Sequence, residues 1–512
     1  MAFRLASIAA LLAAGLWFGA EIYVFGRPAF PLDDSWIHLH LARRLAEGQG
    51  LSFQGDRILP ASTAPLWTGL LSIGFLLPGL LPLVWAKLLG LAAHVGTAAA
   101  TGRLALAVGL SRRWSLGCAL LMATTPWLLW SAMSAMEIGA FAALSTLGLA
   151  LALEAEAADS SRRRLGAVAC LAFAVLFRPE GALLLALLLA AWSLRSLARL
   201  GGARRLLAPI ALAGLATLPT FLFYRLAGDS WLPTTYGAKA GGGLSAASSD
   251  YLRLVLDVFW RSQPVLLLFA ASGGWILAAR RRALPALWLL ALPLVYSMLA
   301  SPSAPPPLGN FGRYYFPVLP VLTIVGAVGL EQVVRTLADA GRKRLAAGAV
   351  GIVLAVHGLG LIQGPGRYLQ TVANVEDSDV RAALWLADRL PDDAVLAVQD
   401  IGALAFFTRR PIVDLAGLVT PEILPVLRAD PPGDWQRRLV DWLAAGPRPD
   451  YLVVFARSYP ALAHSSAFPT IERFAIEDNV TMAGDELVIL ATPWTDAPLR
   501  PLVPAGAGPT LP

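Results

Sequence analysis

Two adjacent carboxylates, Asp33 and Asp34, sit in the stretch Pro31-Leu-Asp-Asp-Ser-Trp-Ile-His-Leu-His-Leu-Ala-Arg-Arg44. A carboxylate held at a fixed place can take a proton from an acceptor hydroxyl. It can equally cap the helix that starts here, because Asp is among the preferred N-cap residues. A single Asp can do both. Further along the chain, isolated charges interrupt apolar surroundings at Glu137, at Arg178 and Glu180 on either side of Pro179, at Lys239, and at Arg313 beside Tyr314. Charges at such places are expensive and are functional hypotheses by default. Glu137 reads as a second site carboxylate or a solvated loop acid. Arg178 and Glu180 read as a salt bridge locking two helices or as phosphate-directed groups. Lys239 and Arg313 suit a grip on a phosphate, with snorkelling toward lipid headgroups as the alternative. For a metal, Asp34 and His38 are four apart and share a helix face, whereas His38 and His40 point about 200° from each other. A divalent ion on Asp34 and His38 is the weaker reading, because a hard cation needs more ligands. No cofactor is otherwise indicated.

The elements that must position these groups are mostly apolar. Of 512 residues, 57% are hydrophobic and 15% charged, against about 25% charged in a soluble domain. Apolar segments lie near 5–25, 83–108, 114–131, 138–154, 165–177, 181–198, 207–225, 252–278, 284–300, 315–333 and 345–363. They predict an α-helical polytopic membrane protein with about eleven transmembrane helices. This excludes a soluble enzyme and argues against a nucleic-acid partner despite the net charge of +7. Cys118 and Cys170 both fall in apolar runs and predict no disulfide framework. The first segment reads as a retained span rather than a cleaved signal.

Basic clusters at Arg112-Arg113, Arg162 to Arg164, Arg195 to Arg205, Arg280 to Arg282 and Arg342 to Arg344 each follow an even number of crossings. The positive-inside rule places them and the N-terminus in the cytoplasm. An odd number of crossings then puts the C-terminal part outside. Residues 1–363 hold 29 Lys and Arg against 15 Asp and Glu, and residues 364–512 hold 12 against 19. That switch predicts a membrane domain over 1–363, with its first outer loop at 27–82, and an extracytoplasmic α/β domain over 364–492. Helices are expected at 377–390 and 435–445, with strands at 394–398, 411–413, 451–455 and 486–491. Residues 493–512, rich in Pro, Ala and Gly, read as a disordered tail. Pro65 to Leu77 is apolar but too short to span, which suggests an interfacial or re-entrant helix. Asp400 and Asp414 fall at strand ends beside glycines, where turn chemistry competes with a role in binding acceptor.

Taken in order, Asp33-Asp34, Leu41-Ala-Arg, Leu45-Ala-Glu-Gly, Gly50-Leu-Ser-Phe and Ser62-Thr-Ala-Pro-Leu-Trp67 resemble the opening of the multi-spanning GT-C glycosyltransferases. The resemblance is to the branch of mycobacterial terminal arabinofuranosyltransferases and, more distantly, to the lipid A aminoarabinose transferases. It continues at Ser134-Ala-Met-Glu137, Phe177-Arg-Pro-Glu-Gly181, Gly228-Asp-Ser-Trp-Leu-Pro-Thr-Thr-Tyr-Gly-Ala-Lys239, Gly312-Arg-Tyr314, Asp400-Ile-Gly402 and Asp414-Leu-Ala-Gly-Leu418. It implies a polyprenyl-phosphate-sugar donor and a glycan, lipid or protein acceptor at the outer face of a bacterial inner membrane. Asp33 would be the general base and Asp34 its partner. His38, Glu137, Arg178, Glu180, Tyr236, Lys239, Arg313 and Tyr314 would bind donor or substrate. His38-Leu-His40 and Leu59-Pro-Ala61 depart from the family pattern, so the sugar and acceptor do not carry over. A transporter of an envelope precursor and a non-catalytic scaffold are the rival classes, but neither accounts for acids concentrated in outer loops.

Overall fold

The computed structural model describes residues 2–55, 60–197, 204–228, 230–235, 249–299, 312–429 and 434–500. Ten helices build the first half: α1 Ala2–Phe25, α2 Asp33–Ala46, α3 Pro65–Leu76, α4 Pro82–Ala107, α5 Arg112–Thr124, α6 Pro126–Met133, α7 Ile138–Ala157, α8 Ser161–Phe177, α9 Gly181–Leu197 and α10 Arg204–Gly228. Proline opens α3, α4 and α6, where its missing N–H costs nothing and its fixed φ suits a first helical turn. Among the described residues six helices are long and apolar enough to cross a membrane: Arg4–Phe25, Pro82–Ala107, Ile138–Ala157, Arg204–Gly228, Arg313–Asp339 and Lys343–Arg389. A seventh crossing forms if α5 and α6, bent by 48° at Thr125, count as one, and four shorter apolar helices accompany them. Large apolar side chains such as Leu215, Leu226, Trp275 and Ile362 face outward. Exposed leucines on long apolar helices belong against lipid, and the chain is a multi-pass membrane protein.

Small residues set the helix spacing. A Cβ on Gly90 of α4 would overlap the carbonyl of Ala132, and one on Gly273 would overlap that of Val325. Such close approach is how membrane helices pack without a hydrophobic drive between them. The helix Leu319–Asp339 runs through the centre, with thirteen consecutive residues from Leu319 to Glu331 buried.

Basic clusters from separate loops meet. Arg195 donates to the carbonyl of Arg281 (3.3 Å), Arg205 pairs with Asp159 (2.8 Å), and Arg282 lies against Gly109.

The expected boundary at 363/364 falls inside one unbroken helix, Lys343–Val375, which continues through a π-helical turn, Glu376–Val380, into Arg381–Arg389. Composition changes where the helix leaves the apolar layer; the backbone does not. Beyond it lies a five-stranded mixed sheet in the order β2-β1-β3-β5-β4, built from β1 Leu396–Val398, β2 Ile412–Asp414, β3 Tyr451–Phe455, β4 Thr470–Ala475 and β5 Glu486–Ala491. β1 runs parallel to β2 and β3, whereas β5 is antiparallel to β3 and β4. Four strands fall on the expected segments. β4, with Glu472 and Arg473 in a half-exposed edge strand, lacks the apolar run that marked the others. The tail from 501 onward lies outside the described residues.

Candidate active site

The acidic pair occupies the first turn of α2, but neither Asp caps that helix. The N-cap is Leu32 in extended conformation, with no side-chain capping bond. Asp33 turns instead to the C-terminal domain, where Oδ2 accepts the N–H of Gly402 (2.6 Å) and Oδ1 that of Ala403 (2.7 Å). These are the first two residues of the helix Gly402–Thr408, so the carboxylate satisfies orphan donors of a helix 369 residues away in sequence. Position 402 must be glycine, since a Cβ there would overlap the Asp33 carbonyl and lie 2.9 Å from its carboxyl carbon. Burial pushes the Asp33 carboxyl up to about 7; the two N–H groups pull against this, and Asp34 and Asp414 add to the rise.

One residue further round α2, Asp34 pairs with Arg313. Arg313 is buried and follows Gly312, whose φ of +60° and contact with Val258 exclude a side chain. The ring of Tyr314 lies 5.3 Å from the guanidinium of Arg313 and 5.3 Å from that of Arg178. Arg178, in the turn between α8 and α9, donates to Glu137 (2.6 Å), Glu180 (3.0 Å) and the Tyr296 hydroxyl (3.3 Å), and Tyr296 in turn donates to Glu180. His38, one helical turn after Asp34, places Nε2 3.2 Å from Glu137. The structure therefore joins Asp34, His38, Glu137, Arg178, Glu180, Arg313 and Tyr314 in one network. The salt bridge from Arg178 to Glu180 is present, and the same guanidinium also pairs with Glu137 and faces the Tyr314 ring. Tyr236 and Lys239 lie outside the described residues.

The motif Ser134-Ala-Met-Glu137 is explained by a strained turn. Ala135 has φ +54°, and the turn is held from both sides by Ser35 donating to the Ser134 carbonyl (2.6 Å) and Trp67 to that of Ala135 (2.8 Å). Strain of this kind persists where its surroundings over-determine it. Here it aims Glu137 inward.

Asp34 and His38 belong to different ion pairs, and among the described residues no group of three or more His, Cys, Asp or Glu is arranged to hold a metal. Asp414 serves turn chemistry, accepting the N–H of Ala416 and Val419 at 2.8 Å each. Burial raises the Asp400 carboxyl, and the charges of Asp33 and Asp34 raise it further.

Sequence reasoning missed Tyr296, Glu21, Lys87 and Asp379. Lys87 of α4 is buried and donates to Glu21 (2.7 Å), Tyr368 (3.1 Å) and the carbonyls of Ala29 and Met133. The signal was available: a lysine in an apolar 26-residue helix demands a partner. Asp379 is wholly buried with neither carboxyl oxygen hydrogen-bonded, and it sits in a π-turn that no periodicity announces. An apolar cavity of about 380 Å³ opens between α3, α4, α7 and α8, with Trp67, Leu89, Leu144 and Phe177 in its wall. Phe177 directly precedes Arg178.

The whole chain resembles three solved membrane enzymes. ArnT from Cupriavidus metallidurans, bound to undecaprenyl phosphate, matches with a TM-score of 0.59 at 16% identity, covering 94% of this chain and 97% of that one. The Archaeoglobus fulgidus oligosaccharyltransferase matches at 0.59 and 13% identity, covering 95% and 75%. The fold is that of the GT-C glycosyltransferases. The mycobacterial arabinofuranosyltransferase AftD has it too, with a TM-score of 0.52, 17% identity, 96% of this chain and 40% of that one. Residues 370–491, within the C-terminal part of this GT-C-like chain, match a family model described as a domain of unknown function, DUF8728. No curated protein sequence matches.

Proposed function

We propose that the protein is a membrane glycosyltransferase that moves a sugar from a polyprenyl-phosphate donor to an acceptor hydroxyl at the outer face of a bacterial inner membrane. The observation that carries this reading is the ladder Arg178–Tyr314–Arg313, two buried guanidiniums on one ring, with Arg313 paired to Asp34 and Arg178 next in sequence to Phe177 of the apolar cavity wall. In this arrangement the isoprenoid chain enters the cavity between α3, α4, α7 and α8. Its phosphate reaches the arginines. The acceptor oxygen attacks the anomeric carbon, Asp33 takes the hydroxyl proton, and the bond from the anomeric carbon to the phosphate oxygen breaks. The arginines then stabilise the charge left on the lipid phosphate. A carboxyl lifted to about 7 is matched to this work near neutral pH. Asp34, tied to Arg313, links the base to the leaving-group side. The likeness to proteins solved with undecaprenyl phosphate and dolichol phosphate supports the donor class.

The test is transfer by full-length protein in lipid nanodiscs. A panel of polyprenyl-monophosphate sugars should yield released polyprenyl phosphate and a glycosylated acceptor from envelope extract. Transfer that required a nucleotide sugar, and ignored every lipid-linked donor, would overturn the assignment.

A further inference from the structure

A second cavity, of about 790 Å³, opens between the far end of α2 and the C-terminal domain. Four arginines line it, Arg43, Arg44, Arg409 and Arg410, against two carboxylates, Glu47 and Glu422. Backbone carbonyls orient three of the arginines, and Arg410 also pairs with Asp392 at 2.8 Å. Arg43 donates to Phe406 (2.7 Å), Arg44 to Ser52 (2.7 Å) and Gly55 (2.8 Å), and Arg410 to Pro391 (2.7 Å) and Leu390 (3.0 Å). Arg43 is buried, its guanidinium 4.6 Å from the Phe406 ring, and its Nε has no hydrogen-bond partner. The local field is positive enough to show on a neighbour: His40 is driven down to about 3, by burial first and then by Arg43, Arg44 and Arg409. Phe53 and Trp442 add aromatic surface to the same walls.

Helix C-termini attract cations, and α2 and Gly402–Thr408 both end here, so part of the basic character is explained by the fold. Arg409 is not. It holds φ +56° at the C-cap of Gly402–Thr408, a position that favours glycine, its side chain is 59% exposed, and its carboxylate neighbour Glu47 stands 3.6 Å away. Arginine here costs backbone strain that glycine would not, and what it adds is a half-exposed cation on the cleft wall.

We propose that this cleft binds an anionic saccharide, an acidic segment of the acceptor, and that α2 carries it toward the acidic pair. The arginines take the charge, and Phe53 and Trp442 the sugar faces. Ten residues of α2 separate Arg43 from Asp33, roughly 15 Å at 1.5 Å per residue, so the charged segment lies some distance from the reacting hydroxyl. The assignment rests on the glycosyltransferase reading, but binding can be measured without turnover.

The experiment uses full-length protein in nanodiscs of zwitterionic lipid and three probes: a hexameric oligogalacturonate, maltohexaose and inorganic phosphate. Oligogalacturonate should bind, with affinity falling as salt rises, while maltohexaose does not and phosphate competes weakly. Arg409→Gly removes the cation and relieves the backbone, so the protein should keep its melting temperature and lose at least tenfold in oligogalacturonate affinity. Trp442→Leu should weaken oligogalacturonate and leave phosphate unchanged. The cleft assignment falls if Arg409→Gly binds as tightly as wild type or if oligogalacturonate does not bind. The anionic class falls if maltohexaose binds equally, and the saccharide class if phosphate competes as strongly. Polyprenyl phosphate binding, measured in parallel, should be the same in wild type and Arg409→Gly; its absence from both, with oligogalacturonate still bound, would sink the donor reading and leave the cleft standing.

Discussion

Asp33 and Gly402 are joined by a 2.6 Å hydrogen bond that links the first loop of the membrane domain to the first helical turn of the C-terminal domain. The same carboxylate holds Ala403 through its other oxygen. The residue proposed as the base is therefore also the clasp between the two halves, and its substitution must be read on both axes.

Asp33→Asn keeps one side-chain oxygen, so one of the two N–H groups meets an amide instead of an acceptor. Stability should fall by about 1–3 kcal/mol. Turnover should fall by ~10²–10⁴ if the carboxylate is the base. Gly402→Ala spoils the docking through its Cβ and leaves the carboxyl group in place. Rates and thermal unfolding of both variants separate the roles. Wild-type turnover in Asp33→Asn, with Asp34→Asn dead, would move the base to Asp34.

With Asp33 titrating at about 7, log kcat/KM should rise with unit slope at acid pH and level above about 7. A pH–rate series on the purified enzyme checks this. The stability sign is opposite: a carboxyl whose folded value is raised contributes most below its unfolded value of 3.8, and that contribution is lost as pH rises through 7.

His40 should act in the other direction. It is buried, Nε2 donating to the Phe53 carbonyl at 2.7 Å, with Arg43, Arg44 and Arg409 around it. Its folded value of about 3 lies below the ordinary 6.5, so the folded state loses stability relative to the unfolded chain as pH falls from 6.5 toward 3. Chemical unfolding of wild type and His40→Gln across this range should show the difference shrinking as the solution is acidified. A constant difference would refute the burial argument.

Arg178 holds two carboxylates and faces Tyr314. Arg178→Lys keeps the charge but not the planar fork, so it cannot serve Glu137, Glu180 and a phosphate together. The expected result is a donor KM raised at least tenfold with stability largely kept. Arg178→Met leaves Glu137 buried without its cation and should cost about 3–5 kcal/mol, seen as a lower melting temperature.

The five basic clusters lead to an N-in, C-out arrangement. A reporter active only in the cytoplasm, fused after Leu499, should be silent, and one active only outside should work. The reverse would require an even number of crossings.

The sequence alone determined the membrane class, the C-terminal α/β part and the ordered motifs of the GT-C resemblance. Each is a local property: long apolar runs must be buried in lipid, alternation makes strands, and Pro and Gly mark turns. It also marked Glu137, Arg178, Glu180 and Arg313, because isolated charges beside apolar helices need partners, and Asp34, His38 and Tyr314 through the resemblance. Which partner each takes was decided only by tertiary structure. The first turn of α2 suggested that Asp33 caps its own helix; packing gave it to Gly402 and Ala403, since a seven-residue helix in another domain presents its unsatisfied N–H groups there. The boundary near 364 was legible as a change in charge but not as a break, because a helix crosses from lipid to water without altering its hydrogen bonds. The arginine-lined cleft was invisible in the chain order, since Arg43 and Arg409 stand 366 positions apart and meet only when α2 and Gly402–Thr408 lie side by side.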